Sequence, residues 1–241
     1  MQEPINLGQL FRHAPTWDVQ WDEENKCIII DDFYEDPDAI NQWLKEQNYP
    51  LWKYITPETT RNGIDYNDCR LIHSWPYDTK QETDNYFGNI FHICRRHFWK
   101  GHYDFDRVLE FNCFKAKKEF TEEMQHYPHV DDNLDTPDDR SVLNMIVYLD
   151  KGGNGGTAVY EGDFHDNTEH EDLFYKYRDM HKITKKLEYK FNRCVIFAGN
   201  RMHGAYIEDY KHYMDNWRYS QVYFLFPKRI DVRDFDQDDN G

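Results

Sequence analysis

The chain has 241 residues, 39% apolar and 17% aromatic, which suits one large domain with an aromatic-rich core and argues against a disordered chain. Its formal charge is −16, from 29 Lys and Arg against 45 Asp and Glu, so phosphate backbones are repelled and nucleic acid is disfavoured as a partner. No window approaches the roughly eighteen apolar residues of a membrane span, and no membrane partner is expected.

In chain order, Trp17-Asp18-Val19-Gln20-Trp21 alternates like a strand, and Lys26 to Phe33 is a β-branched run that ends in acidic residues, a buried strand running into a turn. Pro37 opens an amphipathic helix that reaches about Gln47. The segment from Tyr49 to Thr79 holds Pro, Gly and Asn-Asp breakers and reads as irregular structure with short strands. From Gln81 to about Lys100 the apolar residues recur at helical spacing.

After Gly101 the pattern turns to strands: Val108–Phe114, the stretch beginning at His129, Ser141–Leu149, Thr157–Tyr160, Lys185–Tyr189, Arg193–Ala198 and Arg218–Phe226. Along Ser141–Leu149, Leu143, Met145, Val147 and Leu149 share one face, with Asn144, Ile146 and Tyr148 on the other. Residues 161–182 read as a charged, helix-like insertion, and 229–241 as an acidic tail. Strands with helices gathered in the first hundred residues predict an α+β fold around a double-sheet jelly roll of cupin type.

Five cysteines occur (Cys27, Cys69, Cys94, Cys113 and Cys194) with no C-x-x-C pair, a usage that suits a reducing compartment. The first residues carry neither a basic n-region nor an apolar h-region, so the expectation is a soluble cytoplasmic protein.

The chemistry concentrates in three places. His129-Val130-Asp131 sets an imidazole and a carboxylate two positions apart, on one face of an extended strand end. His203 follows 72 positions after Asp131, beyond several strands. Two His and one carboxylate make the facial triad of non-haem Fe(II) oxygenases, which leaves coordination positions open for other ligands. Alone, H-x-D is also the pattern of a loop His and a capping Asp. The nearby His126 lies on the wrong side of Pro128, and Asp132 has the parity that points away.

Arg218 and Ser220 share a face with Val222, Phe224 and Phe226, which directs a guanidinium and a hydroxyl inward, where an unpaired charge is costly. A planar fork of donors suits a carboxylate, best supplied by a dicarboxylate cosubstrate. Tyr148 shares the non-aliphatic face of its strand with Asn144, although a lone Tyr is usually packing.

These pieces, with Tyr148-Leu149-Asp150, Gly155-Gly156-Thr157 and Met202-His203-Gly204, resemble the Fe(II)- and 2-oxoglutarate-dependent oxygenases, closest to the prolyl-hydroxylase-like branch. The resemblance runs from about Phe111 to Phe226. It implies a double-stranded β-helix in which His129, Asp131 and His203 bind Fe(II), and Arg218, Ser220 and Tyr148 hold the far carboxylate of 2-oxoglutarate. It further implies one oxygenase domain over 1–228, with 1–105 as a helix-rich support and 106–228 as the core. Halogenating members lack the carboxylate, so Asp131 points to hydroxylation of a small molecule, amino acid or peptide side chain, with release of succinate and CO₂. Family members often place the cosubstrate cation about ten residues after the distal His; here the gap is 15, with 206–216 expected as an extended loop. Two other readings stay open: a cupin-type metal enzyme that does without 2-oxoglutarate, and a non-catalytic jelly-roll binding module. Oligomeric state is not legible.

Overall fold

The computed structural model describes residues 7–46, 53–54, 59–61, 64–72, 80–99, 103–116, 129–133, 135–161, 182–209 and 211–229. In chain order its elements are α1 (Leu7–Leu10), β1 (Val19–Asp22), β2 (Cys27–Ile30), α2 (Pro37–Glu46), β3 (Lys53–Tyr54), β4 (Thr59–Arg61), β5 (Ile64–Ile72), α3 (Lys80–His97) and β6 (Tyr103–Ala116). They continue with β7 (Leu143–Tyr148), β8 (Gly156–Glu161), β9 (Lys182–Glu188), β10 (Cys194–Ala198), β11 (His203–Tyr206), α4 (His212–Asp215) and β12 (Arg218–Arg229).

The larger sheet runs β1-β2-β10-β7-β12-β6-β5-β3, with β4 beside β5; the smaller runs β11-β8-β9 and is extended by a bridge between His129 and His203. From β6 onward the chain passes repeatedly between the sheets: β6 in the large one, His129 in the small, β7 in the large, β8 and β9 in the small, β10 in the large, β11 in the small, β12 in the large. With antiparallel pairing throughout the described strands, this is a double-stranded β-helix, the predicted jelly roll.

Alternation along β7 separates two interiors. Leu143, Met145, Val147 and Leu149 pack outward from the roll against Ile40, Trp43 and Leu44 of α2 and Tyr86, Phe87, Ile90 and Cys94 of α3. Ile146 and Tyr148 face inward, meeting Val195 and Phe197 of β10 and, across the roll, Val159 and Leu187. Ile40, Trp43 and Leu44 recur at helical spacing, so α2 has one apolar stripe, and each fully buried side chain is worth about 1.5–3 kcal/mol. Asp36 caps that helix, its Oδ1 accepting the Ala39 amide at 3.0 Å. Inside it, Asn41 donates to the Leu149 carbonyl at 2.6 Å and ties the helix to the end of β7.

Several elements differ from the sequence expectation. The stretch expected to be mostly irregular contains β5, nine residues long, which pairs with β6 and widens the large sheet. Breakers on either side of β5 mask it, because pairing with a long neighbour supplies hydrogen bonds that local propensity does not show. The region before residue 105 therefore contributes strands as well as helices. β12 continues past Phe226 to Arg229, and Phe226 is exposed rather than interior. His203–Tyr206 is a strand, and the expected loop contains α4. Residues 162–181 of the insertion, the tail from 230, and His126 lie outside the described residues. Among the described residues no helix is long and apolar enough to cross a membrane, and Cys27, Cys94 and Cys194 are buried free thiols.

Candidate metal centre and cosubstrate pocket

His129 and His203 are held edge to edge by the backbone. The His129 amide donates to the His203 carbonyl at 2.7 Å, and the His203 amide returns a bond to the His129 carbonyl at 2.9 Å. Two residues on, the Asp131 amide donates to the Gly199 carbonyl at 2.9 Å, which seats the carboxylate over the turn leading into β11. The expectation that Asp132 points away holds. Its Oδ2 accepts the Val142 amide at 2.9 Å and its Oδ1 the Asn133 amide at 2.7 Å, so it shapes the loop. Asn200 and Arg201 clamp the same loop from the other side, with Asn200 donating to the Thr136 carbonyl at 2.7 Å and Arg201 paired with Asp138 at 2.9 Å.

The predicted triad comes together. One ligand atom from each of His129, Asp131 and His203 lies within 4.8 Å of the others. His203 Nδ1 lies 2.8 Å from the Arg201 carbonyl, which only accepts, so Nδ1 carries the hydrogen and Nε2 presents a lone pair. That lone pair faces Asp131 Oδ2 at 3.1 Å, while His129 Nε2 lies 3.8 Å from Asp131 Oδ1. Two acceptors this close require a proton on Nε2 or a shared cation, and a third donor converging on the same point favours the cation. The side chains of His203, Asp131 and His129 are 5%, 22% and 45% exposed, so the centre is walled on one side and open on the other. Burial opposes ionisation of Asp131. When a proton rather than a cation sits on His203 Nε2, the contacts with His203, the neighbouring His129 and the Asn144 amide outweigh that effect and hold the carboxyl below its usual range.

Asn144 is a site residue whose role the sequence leaves unmarked. Its Nδ2 donates to Asp131 Oδ2 at 2.5 Å and lies 3.2 Å from His203 Nε2. Its Oδ1 is buried without a hydrogen-bond partner. A flipped amide would aim an oxygen at two acceptors, so the orientation is set by its neighbours. The signal was a polar residue on the non-aliphatic face of β7, and only sheet pairing places it behind the ligands, where such residues orient them.

Arg218 enters the roll from the first position of β12. Ser220 pairs with Tyr148 and Phe224 with Asn144, so Arg218, Ser220, Tyr148 and Asn144 share the inner face. One guanidinium nitrogen donates to the Gly156 carbonyl at 3.1 Å, and the group lies 5.8 Å from the Tyr148 ring centre. Arg218 Nε is buried with no hydrogen-bond partner. Ser220 is buried beside it. The Tyr148 hydroxyl is engaged at 2.8 Å with Thr157 Oγ1 and donates to the Leu187 carbonyl at 3.3 Å. Burial pushes its pKa up to about 12, so it stays a neutral phenol. The turn that brings β8 here needs glycine: Gly156 has φ +133, and a Cβ there would meet the Leu187 carbonyl oxygen at 2.0 Å.

No family model and no curated relative matches the sequence. Solved structures similar to it include EvdMO1, at TM-score 0.48 and 14% identity over 84% of this chain and 47% of that one, so the chain spans about half that protein's length. Another is AviO1 from Streptomyces viridochromogenes Tue57, at TM-score 0.49 and 15% identity over 92% of this chain and 93% of that one. A third is HygX from Streptomyces hygroscopicus with nickel, 2-oxoglutarate and hygromycin B bound, at TM-score 0.47 and 12% identity over 85% and 84% of the two chains. At these low values the chemistry of the site rests on its own residues.

Proposed function

We propose that the protein is an Fe(II)- and 2-oxoglutarate-dependent dioxygenase of the prolyl-hydroxylase-like kind, hydroxylating a C–H bond of a small molecule, amino acid or peptide side chain. The observation that carries this reading is the pairing of a His-Asp-His cation cage with an inward guanidinium whose Nε is buried and unsatisfied. A cupin-type enzyme without the cosubstrate has no use for that second feature.

The spacing also fits. Arg218 bonds Gly156, which pairs with Tyr206, while His203 pairs with Val159. The two levels are three residues apart, or about 10 Å at the usual strand rise. An extended five-carbon diacid joining a metal to a guanidinium has that reach. His129, Asp131 and His203 would hold the metal, with Asn144 fixing the Asp131 carboxylate. Arg218 would grip the far carboxylate, with Ser220 beside it; Tyr148, expected to share that grip, has its hydroxyl engaged with Thr157 and the Leu187 carbonyl, so its ring would shape the wall instead. With iron and 2-oxoglutarate bound, O₂ would supply the oxidising power for C–H hydroxylation, one oxygen atom going to the substrate and the other to succinate, with CO₂ released. The chain orients both, and its inner apolar residues exclude water.

The test is an anaerobic titration of apoprotein with Fe(II) and then 2-oxoglutarate, following the visible charge-transfer band. A saturable band that Asp131→Ala abolishes supports the reading. Iron binding with no band favours the cosubstrate-free cupin enzyme, and no iron binding favours a binding module.

A further inference from the structure

The connection from His203 to Arg218 covers 15 positions, yet it is stapled along its length. Asn154, in the turn between β7 and β8, accepts the amides of Glu208 at 3.0 Å and Asp209 at 2.9 Å on its Oδ1. Its Nδ2 returns a bond to the Asp209 carbonyl at 3.1 Å. Tyr213 of α4 is fully buried; its hydroxyl accepts the Asn154 amide at 3.0 Å and donates to Asp150 Oδ2 at 3.2 Å. Asp150, only 3% exposed, uses its other oxygen to accept the Tyr219 amide at 3.3 Å. The Leu149 amide donates to the Tyr219 carbonyl at 3.0 Å, so residues 149–150 hold both sides of the residue that follows Arg218. The cluster is close-packed: a Cβ on Gly153 would lie 2.3 Å from Asp150 Oδ2 and 2.8 Å from the Tyr213 hydroxyl.

We infer that Asp150 and Tyr213 are positioning residues for Arg218, clipping the start of β12 in place so that the guanidinium presents its unengaged donors to the cosubstrate carboxylate. This rests on the dioxygenase reading above. The clip explains how a longer connection than the family usually has still delivers the cation. Asp150 gives its two oxygens to Tyr213 and the Tyr219 amide, with Tyr189 on its carbonyl; the Arg218 charge acts on its carboxyl from nearby without a hydrogen bond, so the guanidinium's remaining donors stay open to the ligand.

The experiment compares Tyr213→Phe, Asp150→Asn and Asp150→Ala with wild type in the charge-transfer titration and in amide hydrogen exchange of ligand-free protein. Tyr213→Phe is expected to weaken 2-oxoglutarate binding about fivefold to tenfold, with iron affinity and kcat at saturating cosubstrate unchanged. Asp150→Asn, which keeps an acceptor for the Tyr219 amide, recovers most of the affinity that Asp150→Ala loses. In an Arg218→Ala background Tyr213→Phe should cause no further loss, because the two act on one contact. Exchange at Glu208, Asp209 and Tyr219 should accelerate in Tyr213→Phe. An equal loss in the Arg218→Ala background, or unaltered exchange, overturns the positioning role. A wild-type protein that binds iron but gives no cosubstrate band overturns the dioxygenase reading instead, while the exchange result still judges the clip by itself.

Discussion

The two faces of β7 and β12 differ in how completely their polar atoms are satisfied. Outside the roll, where α2 and α3 cover the sheet, the polar groups close into a network. Tyr34 donates to Gln221 Oε1, Gln221 Nε2 donates to Tyr223 at 2.9 Å, and Tyr223 donates to Tyr86 at 3.2 Å. Apolar side chains fill the rest of that face. Inside the roll, on the same two strands, Asn144 Oδ1 and Arg218 Nε are buried with no partner. On the outer side His13 Nε2 is also buried without a partner, beside the Tyr34 and Tyr86 rings, but among the described residues of β7 and β12 only the inner ones carry such an atom, which costs about 1–3 kcal/mol unless a ligand meets it. On the proposed function, the outer face secures the fold and the inner face would carry the chemistry.

Four experiments would break or sharpen that division. The largest effect is expected at the triad: Asp131→Ala or His203→Ala should abolish iron binding and succinate formation while moving the melting temperature little. Wild-type succinate yield from Asp131→Ala would refute the metal assignment. On the outer face, Met145→Ala removes a fully buried side chain and should cost about 2–5 kcal/mol in urea unfolding, with iron affinity of the folded fraction retained.

Arg218→Ala comes third. It should weaken 2-oxoglutarate about 10- to 100-fold, the range for a hydrogen-bonded charge, and leave thermal stability equal or raised because an unsatisfied buried group is lost. A marked fall in melting temperature with unchanged cosubstrate affinity would reassign Arg218 to the scaffold.

The smallest effect concerns a pair on the turn after β2. Arg193 grips Asp31 through two nitrogens, at 2.6 and 3.1 Å. That contact outweighs burial and, with Lys190, holds the Asp31 carboxyl below its usual range. A depressed carboxylate contributes stability above its unfolded value near 4, and that stability is lost as pH falls through the lower folded value. Asp31→Asn should therefore cost about 1 kcal/mol at neutral pH, with the two unfolding curves converging in acid. A constant difference down to the lowest pH would show that packing, rather than charge, is involved.

Much of this arrangement is legible in residue order. The i, i+2 alternation of Ser141–Leu149 announces a strand with two unlike faces, and the same rule puts His129 beside Asp131 and aims Asp132 elsewhere. The inward parity of Arg218 and Ser220 follows from the apolar residues that succeed them. β5 was obscured because its register comes from β6 and not from its own residues.

By itself, then, the sequence determined the elements with strong local periodicity, the acidic surface, and which side chains were available to meet a metal and a dicarboxylate. Tertiary structure alone decided which of them meet. Asn144 reaches Asp131 and His203 only because the chain crosses between sheets three times from β7 to β11, and Asp150 reaches Tyr219 only because β12 lies beside β7. The physical reason is that period and parity are short-range properties of the backbone. A ligand cage, an unsatisfied guanidinium and the clip behind it depend on distances between residues far apart in the chain, and those distances exist only once the strands have paired.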